Sequence, residues 1–222
     1  MARKARSSEI IPGLPHHIVT RGNNRRRLFS YASDYNAYLR YMIDILDPEV
    51  LEIHQLSLMG NHTHMIATPD SVGAISSFMK RLNQAYARLR NDQRKGSGKL
   101  FEERFRSKPI ETLEQLRITT LYNDTNYVRA RPETGLFEHR WSTIRLHAGH
   151  SVDGRLREMW TPSAWYEALG ESPAQRAEAY RQEVSLYVDQ RTPPNQIVEW
   201  GWVEPSEAYT LRLERPNRTR AS

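Results

Sequence analysis

The chain has 222 residues, 38% of them hydrophobic, no cysteine, and a formal net charge of +6. That size and apolar content suit one globular unit with an extension, and no apolar run is long enough to span a bilayer. The lack of cysteine excludes disulfides, thiolate zinc sites, cysteine nucleophiles and the His/Cys/Cys pocket of zinc deaminases, so any metal must be held by His, Asn, Asp or Glu. The basic start, Met1 to Arg6, has no apolar stretch behind it and does not read as a secretory signal, so a cytoplasmic location is expected.

The basicity is concentrated. Seven basic residues and one acidic fall between Met1 and Arg27, and ten basic and three acidic between Met79 and Lys108, giving +6 and +7 and leaving −7 for everything else. Such localisation points to a polyanionic partner, although either run alone also reads as a solvated arm or helix face.

In chain order, residues 1–15 form a basic arm containing Pro and Gly, and His16 to Arg21 reads as a first strand ended by Gly22-Asn23-Asn24. Ser33 is placed to cap a helix whose apolar positions Tyr35, Tyr38, Leu39, Met42, Ile45 and Leu46 recur at three and four residues before Pro48. Val50 to Met59 reads as a strand with a phase slip near Gln55, because Leu51 and Ile53 are out of step with Leu56 and Leu58. Gly60-Asn61 suits a type II′ turn, so His62 to Thr68 should return antiparallel. Val72, Ile75, Phe78 or Met79, Leu82, Tyr86 and Leu89 mark a long amphipathic helix leading into a basic loop, Asn91 to Lys99. Phe101 and Phe105 alternate with Arg104 and Arg106, either as stacking rings among cations or as core anchors.

Ser107 to Glu111 reads as a short edge strand, given Pro109. Thr112 and Gln115 form a capping box for the next helix, on which Leu113, Leu116, Leu121 and Val128 share one side while Tyr122 and Asn126 lie away from it, with Arg129 and Gln115. Thr161-Pro162 and Ser172-Pro173 are helix-opening patterns, and Ala174 to Gln190 should be helical with Ala177, Tyr180 and Val184 inward. Residues 151–190 are therefore expected as a helical extension and 191–222, with Trp200 and Trp202, as a partly disordered tail.

Two pairs carry chemistry. His62 and His64, two apart on a strand, project from one side, and Tyr122 and Asn126, four apart on a helix, sit one turn above each other. Two imidazole nitrogens and an amide oxygen can hold a divalent metal beside a phenol able to attack what the metal polarises. The H-x-H pair alone equally reads as half-buried or surface histidines.

The motifs Ile18-Val19-Thr20-Arg21-Gly22-Asn23-Asn24, Leu58 to His64, Phe101 to Ser107, Tyr122 to Ala130 and Trp141-Ser142, in that order, resemble the single-tyrosine HUH transposases, specifically the REP-associated tyrosine transposase branch. The likeness spans His16 to about Gln190. It implies an α/β (α+β) fold: a ferredoxin-like antiparallel sheet with helices packed on one face, within a catalytic domain at 16–150, plus the C-terminal helical extension. It assigns His62, His64 and Asn126 as metal ligands and Tyr122 as nucleophile, cutting single-stranded DNA next to a hairpin to leave a 5′-phosphotyrosine and a free 3′-hydroxyl. Two imidazoles with an amide oxygen fit Mg²⁺ or Mn²⁺. DNA contacts are expected from Arg3, Lys4 and Arg6 in the arm, from Arg21, Asn23, Asn24, Arg25 and Arg26, and from Lys80 and Arg81 on the long helix. Arg94, Lys95 and Lys99 in the loop, Arg104, Arg106 and Arg129 complete that set. A monomer or homodimer is expected, associated with the nucleoid and not with a membrane. Thr63, Gly60 and Tyr127 depart from the family pattern, which usually has an aliphatic residue, Pro and Pro there. A binder that no longer cleaves, acting as a regulator, is the alternative function, and a hydrolase using metal-bound water is a third.

Overall fold

A computed structural model describes residues 10–189. Arg3, Lys4, Arg6, most of the expected arm, residue 190 and the expected tail with its tryptophans lie outside the described residues.

Four strands, β1 (His16–Arg21), β2 (Leu51–Leu58), β3 (His62–Pro69) and β4 (Arg106–Pro109), form an antiparallel sheet in the order β2-β3-β1-β4. With α1 (Ala32–Ile45) between β1 and β2 and α2 (Ala74–Gln93) between β3 and β4, the topology is ferredoxin-like. β4 is one of the two edges, as Pro109 demands: a proline lacks the N–H that a central strand would use.

The alternation of side chains sorts the sheet into two faces. Ile18, Met65, Ala67, Leu56 and Leu58 meet Tyr38, Leu39, Met42, Ile75, Phe78, Met79, Leu82 and Tyr86 of α1 and α2 in the larger core. Leu51 and Ile53 join them because the register shifts between Ile53 and Gln55, so the extra residue His54 restores the phase. The expected phase slip is thus a bulge. The His54 ring leaves the ladder and bridges outward, its Nδ1 donating to Thr161 O (3.0 Å) and its Nε2 meeting Thr68 Oγ1 (2.8 Å).

The opposite face is also covered. The expectation of helices on one face describes α1 and α2, while α3 (Leu113–Ala130) packs across β2 and β3 on the other side. Beneath it a second core joins Ile66, Ile110, Leu116 and Leu121 to Ile144 of α4 (Ile144–His147), to Trp165 and Tyr166 of α6 (Ala164–Glu167), and to Tyr180 and Val184 of α7 (Pro173–Asp189). Helix α5 (Gly154–Met159) contributes Leu156 and Met159 to the larger core instead.

Local details differ from expectation at three points. Ser33 lies inside α1; the turn is closed by Asp34 Oδ2, which accepts from Ser30 N (2.7 Å) and Tyr31 N (3.1 Å), while the same carboxylate is paired with buried Arg90 of α2. Val72 precedes α2 and is exposed. Gly60-Asn61 does close the β2–β3 hairpin, with Met59 N donating to His62 O (2.9 Å), but Gly60 does not have a positive φ, so the turn is not type II′. The hairpin tip is instead clasped by the chain after β1: Leu28 N and Phe29 N both donate to Gly60 O (2.8 and 3.1 Å), and the Arg27 guanidinium lies over the Gly60 Cα. That clasp depends on Gly22, where an added Cβ would stand 2.2 Å from Arg26 O. No helix among the described residues is long and apolar enough to cross a membrane.

Candidate active site

The strand alternation that buries Met65 under α1 and α2 turns His62 and His64 to the α3 face, with Arg21 and Val19 of β1 paired opposite them. Their rings are 4.9 Å apart between centroids and nearly perpendicular. Thr112 caps α3, its Oγ1 accepting from Gln115 N (3.0 Å), and the Gln115 side chain reaches back to Glu111 N (2.9 Å). With the helix start so placed, Asn126 Nδ2 lies 3.0 Å from Nε2 of His64, and the Tyr122 ring stands 6.1 Å from the His64 ring, edge to face. The Arg129 guanidinium sits over the Tyr122 ring at 4.4 Å. All four residues expected to carry the chemistry, and the cation expected beside the phenol, converge on one face of the sheet.

Both imidazoles are neutral here. Burial lowers His62 to about 4, assisted by the Arg21 charge, and holds His64 well below its ordinary value, with His17, His62, Arg21 and Arg129 adding to the effect. Their tautomers follow from their partners. His62 Nδ1 donates to Asn61 Oδ1 (2.7 Å); the Asn126 amide nitrogen donates to His64 Nε2 (3.0 Å), which puts the His64 proton on Nδ1, 2.9 Å from His17 Nε2, and an Nε2 lone pair on each ring.

These donors bear on whether the site suits a metal. Among the described residues no group of three or more His, Cys, Asp or Glu could hold one. A cation at this site therefore depends on the two Nε2 lone pairs and the Asn126 amide. Turning that amide over about its soft χ2 puts Oδ1 where Nδ2 now meets His64. Two neutral nitrogens and one amide oxygen, with His64 oriented through its outer nitrogen, are the donor set of an open divalent site.

Sequence reading missed the residues behind the histidines. His17, fully buried on β1, stacks on His64 at 5.2 Å and lies within hydrogen-bonding reach of the Asn123 side chain. Asn123 Nδ2 donates to Gln55 Oε1 (3.0 Å), and Gln55 Nε2 donates to Asp124 Oδ1 (3.0 Å). Asp124 also accepts from Tyr180 Oη (2.7 Å), His147 Nδ1 (2.8 Å) and Ser142 Oγ (3.4 Å). Donors thus run from Asn123 through Gln55 to a buried carboxylate, which pins α3 to β2, α4 and α7. One signal was visible: Thr120 and Asp124, and Thr119 and Asn123, recur at helical spacing as a polar stripe, and all four are buried.

The basic residues separate by location. Arg21 pairs with His62 across the strands, Val19 pairs with Arg106, and the exposed 3₁₀ turn Asn23–Arg25 with Arg26 lies beside the hairpin tip, Asn61 Nδ2 reaching Arg25 O (3.4 Å). Asn24 and Arg25 occupy the left-handed region, a conformation the surrounding contacts hold. Arg94 reaches Arg27 O (3.4 Å), which brings the exposed loop carrying Lys95 and Lys99 against that turn; Arg104 is exposed just beyond. Lys80 and Arg81 are exposed on α2, which covers the far face of the sheet. Phe101 and Phe105 are core anchors, not stacking platforms. Of the departures, Thr63 is buried on the α1 face against the Tyr38 hydroxyl, and Tyr127 stacks on His139 at 4.1 Å.

The family described as "Transposase IS200 like" matches residues 11–122, a span that runs from before β1 to Tyr122. Among solved structures, the chain is similar to a REP-associated tyrosine transposase bound to a REP hairpin. The identity is 16%, the TM-score 0.57, and 73% of this chain and 93% of that one are covered. At that identity the likeness speaks for the fold. A second structure, a transposase candidate from Deinococcus radiodurans R1, overlaps at 17% identity over 59% of this chain and 98% of that one, with a TM-score of 0.36 that carries no argument. No curated protein matches.

Proposed function

The chain belongs to the IS200-like transposase family, and from that premise we propose that it cuts and rejoins single-stranded DNA beside a hairpin, in the manner of a REP-associated tyrosine transposase, with Tyr122 as nucleophile. The observation that carries this reading is the convergence of His62, His64, Asn126, Tyr122 and Arg129 on one face of the sheet, with Asn126 at 3.0 Å from His64 and Arg129 at 4.4 Å from the Tyr122 ring.

In this reading Tyr122 Oη forms a bond to the scissile phosphorus as the bond from phosphorus to the 3′-oxygen breaks. The phenol gives up its proton and the departing 3′-oxygen gains one, so no net proton is consumed. The phosphodiester energy is kept in a 5′-phosphotyrosine, and a 3′-hydroxyl can reverse the step and join strands. A free phenol is a poor nucleophile at neutral pH, and Arg129 over the ring places a positive charge beside the attacking group. Arg21, paired with His62, offers a guanidinium to the same phosphate. Mg²⁺ or Mn²⁺ held by Nε2 of His62 and His64 and Oδ1 of Asn126 would supply Lewis-acid stabilisation of the charge on the phosphate. Asn126 and Tyr122 share one helix turn, so the residue that completes the ligand set and the one that attacks move together.

The test is covalent capture. Wild-type protein incubated with single-stranded DNA carrying a hairpin and Mn²⁺ should yield a protein–DNA adduct resistant to denaturation, and Tyr122→Phe should abolish it while leaving hairpin binding. An adduct surviving in Tyr122→Phe removes Tyr122 from the mechanism. A wild-type protein that gives a salt-sensitive complex and no adduct is a binder that does not cleave.

A further inference from the structure

A cleft of about 410 Å³ opens beside His62 and the hairpin tip. Two prebuilt ring stacks present Tyr35 and Trp141, and Tyr127 and His139, to it. In one, Phe29, Tyr35 and Trp141 are stacked in a column, 4.6 Å and 4.8 Å between successive centroids, the last pair 7° from parallel, and the column ends at half-buried Trp141. In the other, Tyr127 lies on buried His139 at 4.1 Å and 4°. Arg27, Arg131 and Arg140 are exposed around the same cleft, Arg131 5.4 Å over the Tyr127 ring and Arg140 5.8 Å over Trp141.

Building on the DNA-cleaving reading above, we propose that this cleft is a nucleobase subsite, seating one unpaired base of the strand that crosses the His62–Tyr122 centre. A base can take the place of the Arg131 guanidinium over Tyr127 or of the Arg140 guanidinium over Trp141, meeting a ring already fixed by its neighbour, while the displaced cation matches a flanking phosphate. The cleft has the size of a small-ligand pocket, so it suits one flipped base and excludes a duplex. It is continuous with the centre at His62, so a base drawn into it fixes the position of the next phosphate along the strand. The Glu138 carboxylate in the same wall accepts hydrogen bonds, so it can meet the exocyclic amine of adenine, cytosine or guanine, or the ring N–H of guanine or thymine.

Short oligo-dT strands carrying 2-aminopurine at successive positions test the proposal, in a Tyr122→Phe background to prevent turnover. At one position the fluorescence should fall to less than half on binding, as it does when 2-aminopurine stacks on an aromatic ring. Tyr127→Ala should relieve that quench and weaken single-strand binding about 10-fold, the scale of one lost base–ring stack. Tyr127→Phe, which keeps the ring, should behave as the parent, and Arg140→Ala, on the exposed rim, should reduce the salt slope of binding by about one. Binding of a blunt hairpin without a single-stranded flank should not change in any of them. The proposal is overturned if no position quenches, or if Tyr127→Ala binds single strands within twofold of the parent. Adduct formation with Tyr122 intact is read separately: its loss in wild type refutes cleavage and leaves the base subsite standing, whereas normal adduct with insensitive quenching refutes the subsite alone.

Discussion

Replacing His17 by alanine should weaken the site without touching a residue that meets substrate. His17 Nε2 is the acceptor for His64 Nδ1–H at 2.9 Å, and the two rings are stacked at 5.2 Å, with His17 1% and His64 4% exposed. Removing the imidazole leaves a buried N–H without an acceptor, which costs about 1–3 kcal/mol, and opens a void that adds to it, so a loss of about 3 kcal/mol in unfolding free energy is expected. The same change frees the His64 tautomer, and loss of such an outer hydrogen bond lowers metal affinity about 10–100-fold. His17→Gln places an amide oxygen near the Nε2 position and should bring Mn²⁺ affinity back to within about threefold of wild type. The assays are Mn²⁺ titration of the full chain without DNA, followed by the electron-spin signal of free Mn²⁺, and urea unfolding in parallel. Wild-type affinity in His17→Ala would refute an orienting role. Equal weakness in the glutamine variant would show that His17 acts through packing alone.

Two further outcomes follow from buried polar groups. Asp124→Ala strands the donors on Gln55, His147 and Tyr180 in the interior and should cost about 4 kcal/mol in urea unfolding, with a lower adduct yield as α3 loosens; a loss under about 1 kcal/mol would mean the network does not anchor the helix. Burial lowers His139 to about 4, against about 6.5 unfolded, so the stability it contributes is complete above pH 6.5 and is lost as pH falls towards 4, in total about 3 kcal/mol. His139→Gln should therefore flatten the decline of unfolding free energy between pH 6.5 and 4 by about 1.4 kcal/mol per pH unit, and an unchanged slope would contradict a neutral buried imidazole.

Much of the centre is legible in one dimension because its spacings belong to single elements. A period of two puts His62 and His64 on one side of β3, and a period of 3.6 puts Tyr122, Asn126 and Arg129 on one side of α3; neither depends on where the element goes. The bulge near Gln55 shows itself for the same reason, as two apolar pairs of opposite phase within one strand. The apolar stripe of α3 is thin, by contrast, because the face it buries is mostly Thr119, Thr120, Asn123 and Asp124, and hydrophobic periodicity is blind to a buried face that is polar.

The amino-acid sequence alone determined which side chains share an edge of their own strand or helix, since backbone geometry sets that locally. Only the tertiary structure decided that β1 lies between β3 and β4, which carries His17 across to His64 over a separation of 47 residues, and that Gln55, Ser142, His147 and Tyr180 surround one carboxylate. A polar residue becomes fit for burial only when its partners arrive from distant elements, and the burial of the apolar faces of the whole chain brings them together.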